Sequence, residues 1–150
     1  MKSNPQTTPA QSKRILLVDD DPQVLDVFSA LLEEAGYKVD RAENALVAMA
    51  SIVRATPDLI LADIRMPVVD GMDLVRELKS HIDSSIIPVV AFTGYDSPQM
   101  REEARKAGYD DFLAKPTNPA PFLDRIAELL GPRGPKQDPK SAAQRKLETN

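Results

Sequence analysis

The chain has 150 residues, 42% of them hydrophobic and 28% charged, the length and make-up of one globular domain. It has no cysteine and one histidine, so disulfides, thiolate metal sites and multi-histidine zinc sites are excluded; it also reads as lacking a signal-peptide core or an apolar run long enough to cross a membrane, which fits a cytoplasmic protein. The net charge of −4 is uneven: residues 13–130 hold 13 basic and 21 acidic groups, whereas residues 131–150 hold five basic and two acidic, and so acidic a body argues against a nucleic-acid-binding core.

Residues 1–12, polar with two prolines and no periodicity, read as a disordered leader. Arg14 to Asp19 is a short apolar run ending in acid, the pattern of a strand buried on both faces. Asp21 then suits a helix N-cap and Pro22 the first turn, with Val24, Val27, Phe28, Leu31, Leu32 and Ala35 at helical spacing before Gly36. Tyr37 to Ala42 alternates and predicts a more exposed strand. Leu46, Met49, Ala50 and Val53 mark the next helix, which ends before Pro57.

Leu59 to Asp63 repeats the buried-strand pattern, again ending in acid, and Met66-Pro67 and Asp70-Gly71 turn the chain. Asp70 caps a helix with Leu74, Val75, Leu78 and Ile82 on its apolar face. Ile86 to Phe92 is the most hydrophobic run and ends in Thr93-Gly94. Ser97-Pro98 opens a helix with a thin apolar face of Met100, Ala104 and Ala107, stopped by Gly108. Tyr109 to Ala114 is the last short strand, followed by Lys115-Pro116. Asn118-Pro119 opens the final helix, with Phe122, Leu123, Ile126, Ala127 and Leu130 on its buried face. Residues 131–150, rich in Pro, Lys and Gln, read as a disordered tail.

Five strands alternating with five helices predict an α/β, doubly wound parallel sheet of flavodoxin-like strand order 2-1-3-4-5, with its site in the crevice between the first and third strands. Parallel strands bring their carboxyl ends to one edge, where Asp19, Asp20, Asp63, Thr93 and Lys115 should converge. Carboxylates so close repel: two unit charges 4 Å apart cost about 4 kcal/mol at an effective dielectric near 20. A hard divalent cation such as Mg²⁺ offsets that, because it takes one or two carboxylates plus waters and phosphate oxygens. A lysine and a hydroxyl beside it complete a phosphoryl site in which a carboxylate can be the nucleophile. Taken alone, Asp63 reads first as a turn or capping aspartate, as most aspartates after a strand are.

The set VDDDP, LILADIRMPVVDG, AFTG and FLAKP, in this order and spacing, closely resembles the receiver domain of two-component response regulators (the CheY-like fold) over residues 13–130. The resemblance implies that Asp63 is the phosphoacceptor and that Asp20 is the direct Mg²⁺ ligand, with Asp19 its neighbour. It makes the backbone carbonyl of Arg65 the third protein ligand, Thr93 the switch hydroxyl and Lys115 the phosphate-pairing lysine. It implies a cis Lys115-Pro116 peptide, a histidine kinase or phosphotransfer protein as donor, and a downstream effector on the face of the fourth helix, fifth strand and fifth helix. The oligomeric state it implies is a monomer or a phosphorylation-dependent dimer. The chain departs from common members at Phe112, which lacks the hydroxyl of the usual tyrosine. It departs also at position 65, where the arginine side chain could meet the phosphoryl group, shield it or lie in solvent.

The expected function is a stand-alone switch driven by phosphorylation, not an enzyme of ordinary turnover. An aspartate-nucleophile phosphohydrolase is the alternative, but such enzymes generally carry a second acid two residues on, where this chain has Arg65. A transcription regulator needs a DNA-binding domain, and the residues after Gly131 are too few and too polar to fold as one. Elsewhere the simpler readings hold: His81 at the surface, Tyr95 in an exposed loop, and Met66, Met72 and Met100 as packing residues.

Overall fold

The computed structural model describes residues 12–66, 71–81, 86–115 and 118–131. The expected leader and tail lie outside these residues but for Ser12 and Gly131, as do Asp70, Ile82 and the proline of the Lys115-Pro116 peptide. The strands are β1 (Arg14–Val18), β2 (Lys38–Ala42), β3 (Leu59–Ala62), β4 (Val89–Thr93) and β5 (Asp111–Ala114). The helices are α1 (Pro22–Glu34), α2 (Ala45–Arg54), α3 (Gly71–Lys79), α4 (Pro98–Ala107) and α5 (Pro119–Leu130). All pairings are parallel and the strand order is β2-β1-β3-β4-β5, the doubly wound sheet that the alternation predicts.

Two cores follow from the strand's period of two. Leu16, Val18, Ile60, Ala62, Val89 and Ala91 face one way, against α2, α3 and α4. Ile15, Leu17, Leu59, Leu61, Val90 and Phe92 face the other way, against α1 and α5. On that second side Phe28, Phe92 and Phe122 cluster, with ring centroids 4.8 to 5.3 Å apart. The side chains of Asp21 and Ser97 cap helix entries that the sequence marks, accepting from the N–H groups of Gln23 and Met100, and Asn44, not singled out from the sequence, caps α2 by accepting from the Val47 N–H. Asn118 stands at the N-cap of α5 but makes no side-chain cap bond.

Helix faces depart from the periodic reading. In α2 the residues turned inward are Ala45, Ala48 and Ser51, with Met49 and Ile52 partly buried; Leu46, Ala50 and Val53 point outward. Small side chains let this helix lie close on the sheet, while its apolar composition all round hides which face is inner. In α1, Leu25 and Ser29 are buried in place of Val27, and in α5 Ala127 is exposed. Ile86 is exposed and precedes β4, and β5 begins at Asp111 rather than Tyr109.

Candidate functional site

The register sets the site. Val18 pairs with Ala62, so the next residues, Asp19 and Asp63, leave adjacent strands side by side. The Asp63 N–H extends that ladder by donating to the Val18 carbonyl at 3.0 Å, and the Lys115 N–H does the same to Thr93 at 2.7 Å. Asp19, Asp63 and Thr93 are buried, Lys115 is half-buried, and Asp20 and Arg65 are exposed.

Five of the residues singled out from the sequence thus come to one edge. One carboxylate oxygen each from Asp19, Asp20 and Asp63 lies within 4.8 Å of the others. Lys115 Nζ donates to Asp19 Oδ2 at 2.5 Å and to Asp63 Oδ2 at 3.2 Å, and stands 5.5 Å from the centre of the Phe92 ring. Asp19 Oδ1 accepts the Asp21 N–H at 2.9 Å. Thr93 closes β4, with Oγ1 accepting the Tyr95 N–H at 3.2 Å. The Arg65 N–H points at Asp63 Oδ1 over a long 3.4 Å, while its guanidinium lies 5.7 Å from the centre of the exposed Tyr95 ring, at the mouth of the site.

Burial pushes the Asp19 carboxyl above its ordinary range, and Asp63 adds to the effect; the bonds from Lys115 and Asp21 oppose it without cancelling it. Burial also works against the Lys115 charge, yet its bond to Asp19 and the fields of Asp63 and Asp19 prevail and raise its pKa. One ammonium against three carboxylates leaves a pocket two charges short of neutral. A divalent cation with oxygen ligands fits that donor set.

Beneath the site lies support that the periodic reading passed over. Tyr109 is buried just before β5, and its hydroxyl donates to the Asp63 carbonyl at 3.3 Å. A Cβ on Gly71 would stand 1.9 Å from that same carbonyl oxygen and 2.3 Å from the Tyr109 hydroxyl, so the start of α3 closes on the Asp63 backbone as only glycine permits. A buried tyrosine needs a partner for its hydroxyl, and that was the available signal. Phe112 is partly buried on β5, covered by the Arg101 guanidinium 4.5 Å from its ring centre. Asp21 is a cap, as read, and His81 is at the surface beside Glu77. Met66 is buried, and Met72 and Met100 pack against the core.

A family model, the response regulator receiver domain, matches residues 15–127. The chain is 37% identical over 117 residues to the DNA-binding dual master transcriptional regulator RpaA of Synechocystis sp., a match that covers 78% of this chain and 48% of that one. It is 35% identical over 123 residues to the phosphate regulon transcriptional regulatory protein PhoB of Pseudomonas aeruginosa, covering 82% and 54%. The chain therefore spans about half the length of these relatives, which are named as transcriptional regulators. Among solved structures it is similar to the receiver domain of the sensor histidine kinase PA1611 of Pseudomonas aeruginosa PAO1, which has a magnesium ion coordinated in its active site cleft. There the TM-score is 0.74 at 33% identity, over 80% of this chain and 98% of that one. Chemotaxis protein CheY4 of Vibrio cholerae gives a TM-score of 0.74 at 29% identity, over 78% and 98%. With its sheet order, its acidic edge and a family match that runs across all five strands, this chain belongs to the response regulator receiver domains, the aspartate-phosphorylated switches of two-component signalling.

Proposed function

We propose that Asp63 is the phosphorylated residue and that its donor is the phosphohistidine of a histidine kinase or phosphotransfer protein. An Asp63 carboxylate oxygen forms the new bond to phosphorus, the phosphorus–nitrogen bond breaks, and the imidazole leaves with that electron pair. The observation that carries this reading is the contact of Lys115 with Asp63: an ammonium already 3.2 Å from the acceptor oxygen is in reach of an incoming phosphoryl oxygen. Thr93, one strand over, offers its hydroxyl to the same group. Asp19, Asp20 and Asp63, with the backbone carbonyl of Arg65, are the residues that would hold Mg²⁺, which neutralises phosphoryl charge when bound. The chain's own part is to accept, hold and later release one phosphoryl group, which makes it a switch rather than an enzyme with a turnover substrate. Its donor and its Mg²⁺ are reagents of the cytoplasm, and this supports a cytoplasmic location.

The test is incubation with a small phosphodonor and Mg²⁺, read by mass spectrometry. The native chain should gain one phosphoryl group that is labile to acid and base, and Asp63→Asn should gain none. Undiminished labelling of that variant overturns the assignment.

The proposed output face is α4, β5 and α5. A phosphoryl group adds about −1.5 to −2 charges and strong acceptors at the sheet edge, drawing Thr93 toward it. Phe112 can then turn inward from beneath Arg101. Helix α4 is the natural mobile part, since Ala104 and Ala107 are its only fully buried side chains. Chemical shifts with a phosphoryl mimic and Mg²⁺ should change more across residues 93–115 than in α1 and α2. Changes confined to the acidic pocket would place the output elsewhere.

A further inference from the structure

Helix α2 is apolar on the wrong side as well as the right one. From Ala45 to Val53 it carries no charged residue, though the helix lies at the surface. Leu46, Ala50 and Val53 recur at the i, i+4, i+7 spacing of a single stripe, opposite the inner face of Ala45, Ala48 and Ser51. Leu46 is 71% and Val53 85% exposed, with Val47 beside them at 41%. Scattered apolar residues on a surface need no explanation, but a contiguous stripe does.

The ends of the stripe say what covers it. Glu43 stands just before the helix and Arg54 ends it, about 15 Å apart at 1.5 Å per residue. Both are exposed, and neither has an ion-pair partner among the described residues. Of the eight described arginines, only Arg54 and Arg65 lack a carboxylate partner among the described residues; Arg65 lies against the Tyr95 ring, whereas no partner for Arg54 is found among the described residues. A helix face with an acid at one end, a base at the other and apolar residues between is complementary to itself when reversed.

We propose that the outer face of α2 is a two-fold contact between copies of this protein, the two helices antiparallel across an axis at Ala50. In that arrangement Val47 meets Val53 of the second copy, and the Arg54 stem covers Leu46 while its guanidinium reaches Glu43. The small side chain at Ala50 lets the helices approach where they cross. The same contact is made twice, as a two-fold interface requires. One helix face of this length falls well short of the roughly 800 Å² per partner of a stable interface, so the pairing is weak and reversible. It uses a surface remote from the α4, β5 and α5 face and does not depend on phosphorylation.

The experiment is sedimentation equilibrium of the full chain over a concentration series, without phosphodonor, with circular dichroism to confirm that each variant is folded. The native chain should show a mass that rises with concentration. Leu46→Lys should weaken association about tenfold or more, the expected loss for one desolvated leucine per copy. Glu43→Arg and Arg54→Glu should each self-associate less than the native chain, because each sets like charges against one another. Mixed in equal amounts they should recover, since both ion pairs then form, one in the native sense and one reversed. A native chain that stays monomeric throughout overturns the proposal and leaves the stripe to a different partner. Association that ignores Leu46→Lys, or a mixture no better than its components, overturns it as well.

Discussion

A lysine–aspartate group stands at each edge of the sheet, and the two are built differently. At the amino edge, Lys79 Nζ donates to Asp110 Oδ2 and to the Ile87 carbonyl, each at 2.9 Å. The same Asp110 oxygen accepts the Val89 N–H at 2.8 Å, while the Asp110 N–H donates to the Val89 carbonyl at 2.7 Å. Among the described residues one charge meets one charge, and backbone groups add further bonds, fastening the end of α3 to the starts of β4 and β5. Gly108 turns the chain here at φ +120°, and a Cβ on it would stand 3.1 Å from Lys79 Cγ. At the carboxyl edge Lys115 faces three carboxylates, two of them buried. A balanced group holds the fold; an unbalanced one holds a place for charge that arrives from outside. Stability and site chemistry should therefore separate under mutation.

Gly71→Ala should have the largest effect, because it strikes the one place where the two properties meet. The added methyl would overlap the Asp63 carbonyl and the Tyr109 hydroxyl, so α3 must retreat. We expect a loss of about 3 kcal/mol, the upper end for atoms forced into a packed site, measured by urea unfolding. Mg²⁺ affinity should fall with it. A variant as stable as the native chain would mean that the start of α3 can move freely beneath the site.

The two edges are then separated by a pair of variants. Asp110→Ala removes the acceptor of the Val89 N–H and the Lys79 ammonium. The ion pair itself is half-open to solvent and contributes little, so the bond to backbone dominates and the expected cost is about 1.5–3 kcal/mol. Mg²⁺ binding and phosphoryl uptake should not change. Asp20→Ala should do the reverse: Mg²⁺ binding is lost, while stability without Mg²⁺ holds level or rises by up to about 1 kcal/mol as one charge leaves the cluster. Unchanged Mg²⁺ affinity in Asp20→Ala, or a stability loss as large as that of Asp110→Ala, would break the contrast.

The contrast also marks what the sequence makes legible. Buried parallel strands announce themselves as continuous apolar runs, and a polar residue at the end of each run is automatically at the sheet's carboxyl edge. Asp19, Asp63, Thr93 and Lys115 could therefore be gathered from positions 96 residues apart without any contact being known. The Lys79–Asp110 latch had no such rule. A lysine in the last turn of a helix and an aspartate before a strand look solvated, and only the packed fold brings them together across 31 positions. Helix faces fail for another reason. Where a helix is apolar all round, as α2 is, period alone cannot choose the inner side, and the choice falls to size: alanine and serine go in because the sheet is close.

The smallest expected effect lies in the core between the two edges. Ser29 is buried on the inner face of α1, and its hydroxyl is, among the described residues, the one buried side-chain polar atom with no hydrogen-bond partner. Such a group gives up its water and receives nothing in return. Ser29 shares the inner face of α1 with Leu25 and Leu32, which pack into the apolar core. Alanine occupies nearly the same volume, has the higher helix propensity and leaves no orphaned hydroxyl. Ser29→Ala should raise stability by about 1 kcal/mol in urea unfolding, with Mg²⁺ affinity and phosphoryl uptake unchanged. A fall in stability would show that the hydroxyl bonds in solution to a helix carbonyl one turn back. A change in phosphoryl uptake would show instead that α1 communicates with the site, and that the imbalance of the carboxyl edge reaches into the core.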